Sequence, residues 1–129
     1  RGAKFNPDVR VWLCPPTRLD HEKLKEEGLF PIFSGVGARI EPPGCSLCMG
    51  NQARVPKGST VISTSTRNFD DRLGDNTRVY LASAELVAIS AILGRIPTLE
   101  EYLEIYQDRV LPNMEKIWDF LQFNEMQWF

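Results

Sequence analysis

Two cysteines, Cys45 and Cys48, are separated by two residues, a spacing that lets both sulfur atoms face one centre from a single turn. Four interpretations are open: a structural zinc site, a thioredoxin-like dithiol, two ordinary thiols, or an iron–sulfur cluster with a further ligand from elsewhere. A zinc site would have to draw on Cys14 and His21, because the chain has no second paired motif. A redox dithiol would place the pair at a helix N-terminus, which the prolines and glycines around it do not favour.

The neighbours of the cysteine pair favour the cluster interpretation. Gly44 precedes the pair and Gly50 follows it, and the amides Asn51 and Gln52 come next. Glycine backbone and amide groups can approach sulfide atoms closely, and such N–H donors tune a cluster.

Two arginines lie five positions apart, Arg67 and Arg72, in a polar segment that follows a predicted strand. One interpretation is a solvated loop in which they pair locally with Asp70 and Asp71. The other is bidentate capture of carboxylates, for which the planar guanidinium group is suited. The arginine pair together with the cysteine pair is more specific than either alone.

The pattern of apolar residues, caps and breakers predicts the elements that would position these groups. We expect strands at 9–13, 38–41, 59–66 and 78–82, and helices at 20–27, 83–93, 98–109 and 112–123. The predicted helix caps are Thr17 or Asp20, Ser83, and a capping box formed by Thr98 and Glu101, and the predicted stops are Gly28 and Gly94. Strands separated by helices predict a three-layer α/β/α architecture with a mainly parallel sheet, followed by C-terminal helices. We divide the chain into an α/β domain, residues 1–111, and a helical extension, residues 112–129.

Each group of candidate residues follows a predicted strand. Ligands of open α/β sheets gather at the carboxyl ends of strands. We therefore expect the loops 42–51 and 67–74 to lie at the same edge of the sheet, with the cysteines near the arginines.

Composition excludes several classes of protein. The chain has 129 residues, 15 basic and 17 acidic side chains and a formal net charge of −2, so it is one domain in size and lacks an overall basic field for nucleic acid. Its longest apolar stretch is too short and too interrupted to span a membrane. Three cysteines are an odd number for a disulfide framework, so we expect a reducing, cytoplasmic location.

Three collinear motifs resemble the bacterial B-type branch of the aconitase family. They are CSLCMGNQARV at 45–55, STSTRNF at 63–69 and RLG at 72–74. The resemblance extends from residues 11–18 to residues 81–86 and 97–98, so it covers most of the chain.

The resemblance implies a hydro-lyase that interconverts citrate and isocitrate through cis-aconitate, with a [4Fe–4S] cluster as Lewis acid. Activity on 2-methylisocitrate is a second option within the family. By position, Cys45 and Cys48 match two of the three cluster ligands. Arg67 and Arg72 match substrate-binding arginines, and no catalytic residue is assigned in this chain.

The chain also departs from the family pattern. The third cysteine ligand belongs to an upstream Ser-Cys-Met-Thr-Asn motif that this sequence lacks, and Cys14 matches a non-ligand position, where we expect a packed thiol. The chain starts at Arg1 without Met, so we expect a part of a longer enzyme that is inactive without the remaining aconitase domains. Alternatives are a zinc or dithiol module, or messenger RNA binding by the cluster-free state, which the near-neutral charge does not favour.

Overall fold

The structure, a computed structural model, describes residues 2–44 and 54–117. The chain divides into two compact units, Arg1–Ile96 and Pro97–Phe129. Cys45 and Cys48 lie outside the described residues, and so does the predicted helix beyond residue 117. The first unit contains, in chain order, β1 (Trp12–Leu13), α1 (Arg18–Glu26), α2 (Leu29–Gly35), β2 (Arg39–Ile40), β3 (Thr60–Ser63), β4 (Arg78–Leu81) and α3 (Ala84–Leu93).

The strands β1 and β2 form a parallel two-stranded sheet. Trp12 lies opposite Arg39, and Leu13 lies opposite Ile40. Both strands are shorter than the predicted ranges 9–13 and 38–41. A proline pair lies one residue beyond each strand, and proline supplies no N–H group to a ladder, which limits the pairing at the carboxyl end of each strand.

Two helices connect β1 to β2. Thr17 caps α1 in a capping box: the Asp20 N–H donates to Thr17 Oγ1 at 3.2 Å, and the Thr17 N–H donates to Asp20 Oδ2 at 3.1 Å. Gly28, predicted to stop this helix, follows its last turn in the left-handed conformation. The sequence analysis did not predict α2, which contains Pro31. Its proline lies in the first turn, where N–H groups have no partner within the helix, so the helix tolerates it.

The strands β3 and β4 form a second parallel sheet, in register from Thr60 opposite Arg78 to Ser63 opposite Leu81. β3 ends at Ser63 rather than at the predicted residue 66. Beyond that point the Ser65 N–H donates to Ser63 Oγ at 3.2 Å. Side-chain oxygens that bind nearby backbone N–H groups compete with a strand ladder, which explains the shorter strand.

The two candidate loops follow strands of different sheets. β2 pairs with β1 and β3 pairs with β4, and no pairing joins β2 to β3 in the described part of the chain. The expectation that both loops lie at one edge of a single sheet is therefore wrong for these strands. β2 is only two residues long, and its hydrogen bonds go to the β1 segment.

The helix α3 is capped as predicted and is bound to the start of the chain. Ser83 Oγ accepts the Leu86 N–H at 3.3 Å, and Gly94 ends the helix. The Asn6 N–H donates to the Ala91 carbonyl at 2.8 Å, so the N-terminal segment packs against the last turn. The apolar residues buried most deeply in the described ranges are Pro15, Ala38, Leu73, Ile89 and Ala91.

The second unit is helical. It begins with α4 (Leu99–Ile105), whose predicted capping box between Thr98 and Glu101 is confirmed. The chain then continues as a π-helical turn (Tyr106–Val110), a 3₁₀ turn (Leu111–Asn113) and α5 (Met114–Ile117). Pro112 has no N–H for the carbonyl one turn earlier, which fits the change of helix type at this point.

The described residues therefore form a mixed α/β fold with parallel strand pairs and C-terminal helices, as predicted. None of the helices within residues 2–44 and 54–117 is long and apolar enough to cross a membrane.

Candidate functional site

Both candidate arginines lie on the segment 64–77, which connects β3 to β4 and which we call the arginine loop. A connection between parallel strands needs about a dozen residues or more and is usually a helix. The arginine loop contains turns and bends but no helix or strand. It starts at the carboxyl end of β3, where open α/β sheets commonly bind ligands.

A serine hydroxyl joins the two arginines. Ser65 Oγ accepts the backbone N–H of Arg67 at 3.1 Å and the Nη1–H of Arg72 at 3.0 Å. The same hydroxyl donates to the Arg67 carbonyl at 3.4 Å. One side chain therefore contacts the backbone of the first arginine and the guanidinium group of the second.

Arg72 is almost fully buried. Its relative exposure is 2%, and its Nε and Nη2 atoms are shielded from solvent together with the neighbouring Leu73 and Gly74. A guanidinium group stays charged at all ordinary pH values, so the structure holds a permanent positive charge inside this loop. The interpretation of a solvated surface arginine is wrong for Arg72, whereas Arg67 is exposed.

Two further side chains fix the course of the arginine loop. Asn68 Nδ2 donates to the Val79 carbonyl at 3.2 Å and so binds the loop to β4. The Asp71 carboxylate accepts the Asn76 N–H. Asp71 and Asn76 both adopt the left-handed conformation, which these two residue types tolerate better than others. The acidic residue therefore shapes the turn.

After the cysteine pair, the described residues resume at Arg54, and the next residue, Val55, contacts the arginine loop. The Val55 N–H donates to the Leu73 carbonyl at 2.8 Å, next to Arg72. A Cβ atom on Gly74 would lie 2.5 Å from the Val55 carbonyl oxygen, so only glycine permits this close approach.

Before the cysteine pair, the last described residue is Gly44, and its carbonyl oxygen lies against Cys14. The Cys14 thiol donates to the Pro42 carbonyl at 3.3 Å and to the Gly44 carbonyl at 3.1 Å. Cys14 is half-buried. The position of the sulfur atom against two carbonyl oxygens agrees with the predicted packed thiol.

The described residues contain no group of three or more His, Cys, Asp or Glu side chains that could hold a metal ion. His21 Nδ1 lies 3.3 Å from Glu22 Oε1, and its ring packs edge-on against Phe30 with centroids 4.8 Å apart. This histidine packs locally on α1 and α2. The two predicted cluster ligands, Cys45 and Cys48, are outside the described ranges.

The sequence analysis did not identify the roles of Ser65, Asn68 and Gly74. The alternating serines and threonines at 63–66 predict a strand because β-branched residues favour strands. The signal that could have separated them is a serine two residues before an arginine, a spacing typical of side-chain turns. The contact between Gly74 and Val55 has no local sequence signal.

The chain belongs to the aconitase family. The sequence model of the family, described as aconitate hydratase, matches residues 1–94. This match covers the two sheets, the arginine loop and α3.

Within the family, the chain is similar to proteins named aconitate hydratase B. It is 58% identical over 120 residues to the one from Synechocystis sp., covering 93% of this chain and 14% of that protein. It is 53% identical over 118 residues to the one from Escherichia coli K12, covering 92% of this chain and 14% of that protein. The resemblance stated from the motifs is confirmed.

A second group of relatives is more distant. The 3-isopropylmalate dehydratase large subunit of Acetivibrio thermocellus is 38% identical over 103 residues, covering 78% of this chain and 25% of that protein. The chain thus spans a small part of each of these relatives.

Proposed function

We propose that this chain is the cluster-binding and substrate-binding part of an aconitate hydratase, a cytoplasmic hydro-lyase that interconverts citrate and isocitrate through cis-aconitate. The remaining domains of the enzyme would complete the site, and the chain alone would be inactive. The observation that carries the proposal is the Val55–Leu73 hydrogen bond. It joins Val55, which follows the cysteine pair closely in sequence, to the arginine loop. Family membership and the similarity to aconitate hydratase B support the same function.

In this proposal, Arg67 and Arg72 hold carboxylate groups of the substrate. Arg67 is exposed, so a carboxylate can approach it directly. Arg72 is already dehydrated and held by Ser65, so binding to it requires little further loss of side-chain freedom. Two positive charges on one loop, of which that of Arg72 is held in place, suit a substrate that carries several carboxylates.

Cys45 and Cys48 would supply two thiolates to a [4Fe–4S] cluster, which polarises the substrate hydroxyl when it is bound. The part of the chain that the structure describes offers no alternative ligand set. The third ligand would come from another part of the enzyme, because the remaining thiol, Cys14, donates to backbone carbonyls.

A chimeric enzyme tests the proposal. The chain would replace the matching 118-residue stretch of the Escherichia coli relative, and cis-aconitate formation would be measured together with iron and sulfide content. We expect an active enzyme, in which Arg67→Ala or Arg72→Ala lowers kcat/KM roughly 100-fold at unchanged iron content. The isolated chain, treated anaerobically with iron and sulfide, should form no cis-aconitate from citrate.

Arg54→Ala is the matched control. Arg54 forms a 3.3 Å ion pair with Asp75, and both side chains are mostly exposed, so its loss should change kcat/KM by less than about twofold. Unchanged kcat/KM in Arg67→Ala and Arg72→Ala would remove both arginines from the site. Stoichiometric zinc without iron or sulfide would favour the zinc or dithiol module.

A further inference from the structure

Ser65 uses its whole hydrogen-bonding capacity on the two candidate arginines. A serine hydroxyl has one donor and two acceptor positions. Here both acceptor positions are taken, by the Arg67 N–H and by Arg72 Nη1, and the donor points to the Arg67 carbonyl.

The hydroxyl is itself held by the sheet. The Ser65 N–H donates to Ser63 Oγ, and Ser63 lies in register with Leu81 of β4. The Ala82 N–H also donates to the Ser63 carbonyl at 3.0 Å. A continuous series of hydrogen bonds therefore runs from the β3–β4 sheet through Ser65 to the guanidinium group of Arg72.

We propose that Ser65 is a positioning residue that fixes the two arginines relative to each other for carboxylate binding; this inference rests on the substrate role proposed above for Arg67 and Arg72. Arginine side chains have many rotamers, and a ligand that must order one loses affinity. Ser65 orders the Arg72 side chain and the Arg67 backbone before substrate arrives. Its removal should weaken binding of substrate and transition state equally, which raises KM more than it lowers kcat.

The experiment uses the chimeric enzyme with Ser65→Ala, Ser65→Thr and the control Ser59→Ala. Ser59 Oγ donates to the Pro56 carbonyl at 2.6 Å, near the other end of β3, so its loss removes a hydroxyl of the same kind outside the arginine loop. We expect Ser65→Ala to raise KM for citrate about tenfold, with kcat changed less than about threefold. Ser65→Thr keeps the hydroxyl and should return KM to within about threefold of the unsubstituted enzyme, and Ser59→Ala should leave KM unchanged.

A binding measurement gives a readout independent of turnover. Calorimetric titration with propane-1,2,3-tricarboxylate, which has no hydroxyl to eliminate, should show a rise in Kd parallel to the rise in KM. In a double-mutant cycle, Ser65→Ala combined with Arg72→Ala should raise KM by less than the product of the two single effects, because the serine acts through the arginine. If the double variant raises KM by the full product of the two single effects, Ser65 does not act through Arg72 and the inference is wrong.

The outcomes separate this inference from the proposed function. If the arginine variants raise KM but Ser65→Ala does not, Ser65 has no positioning role and the proposed function stands. If the arginine variants leave kcat/KM unchanged, the substrate role proposed for the arginines itself fails. Should Ser65→Ala not fold, Ser65→Cys replaces the hydroxyl with a weak acceptor of similar size, and an unchanged KM in that variant would contradict the inference.

Discussion

At the scale of single residues, burial separates two arginines that look alike in sequence. Arg67 is exposed, whereas Arg72 is 2% exposed and is bound by Ser65. Arg67 precedes Asp70 and Asp71 in the sequence and Arg72 follows them, so a prediction of local ion pairs would apply equally to both arginines. The structure instead holds the Arg72 guanidinium group within the loop, which fits the carboxylate-binding role proposed for it.

Cys14 gives a prediction at this scale. Because its thiol donates to the Pro42 and Gly44 carbonyls, we expect Cys14→Ser to keep the iron and sulfide content of the chimeric enzyme unchanged. Cys45→Ser or Cys48→Ser should abolish cluster binding, since each removes a proposed thiolate ligand. Iron and sulfide analysis after anaerobic reconstitution measures the cluster content of all three variants. Loss of iron in Cys14→Ser alone would make Cys14 a ligand.

At the scale of elements, the β3–β4 sheet and the segment that starts at Arg54 hold the arginine loop from two sides. Asn68 binds β4, and the Leu73 carbonyl accepts the Val55 N–H. The loop has no regular structure of its own, so these contacts determine its course. At Gly74 the two backbones lie so close that an added Cβ atom would meet the Val55 carbonyl oxygen.

Gly74→Ala should therefore destabilise the protein. Its Cβ would lie 2.5 Å from the Val55 carbonyl oxygen, a backbone atom that cannot move without its segment, at a φ of +155° that L side chains rarely adopt. We expect a loss of about 2 kcal/mol or more in the free energy of unfolding, measured by urea denaturation. The control is Gly58→Ala, which has positive φ but no atom within 4 Å of the added Cβ, and should lose only about 1 kcal/mol. Equal losses would show that the approach to Val55 contributes nothing.

At the scale of the whole molecule, the helical unit exposes apolar side chains. Leu99 is 72% exposed and Leu103 is 43% exposed, and residues four apart lie on the same face of a helix. Leu111 and Met114 are also exposed. Together with the small share of each relative that the chain covers, these residues indicate a surface prone to association in the isolated chain.

We expect the isolated chain to self-associate in sedimentation experiments. Leu99→Glu combined with Leu103→Glu should shift it toward the monomer, because two charges on the exposed face of α4 oppose apolar association. The control replaces Glu100 and Glu104 on the same helix with glutamine, which removes charge without removing apolar surface. A monomer at all concentrations before substitution would contradict the expectation.

Local chemistry determined much of this protein from the sequence alone. The capping residues Thr17, Ser83 and Thr98 begin their helices as predicted, since a cap acts within one turn. The prolines stop strands, and the collinear motifs identified the family. These features depend on neighbours in sequence, so they are visible without a fold.

Tertiary structure decided the rest, because it depends on contacts between residues distant in sequence. In the described part of the chain, two short sheets formed where one was expected, because which strands pair depends on contacts between distant segments. The burial of Arg72, the approach of Val55 to Gly74 and the contact of Cys14 with Gly44 each join separate segments. The sequence predicted that the cysteine pair and the arginines meet at a shared sheet edge. In the described structure, Val55, which follows the cysteine pair in sequence, is joined to the arginine loop by a backbone hydrogen bond to Leu73.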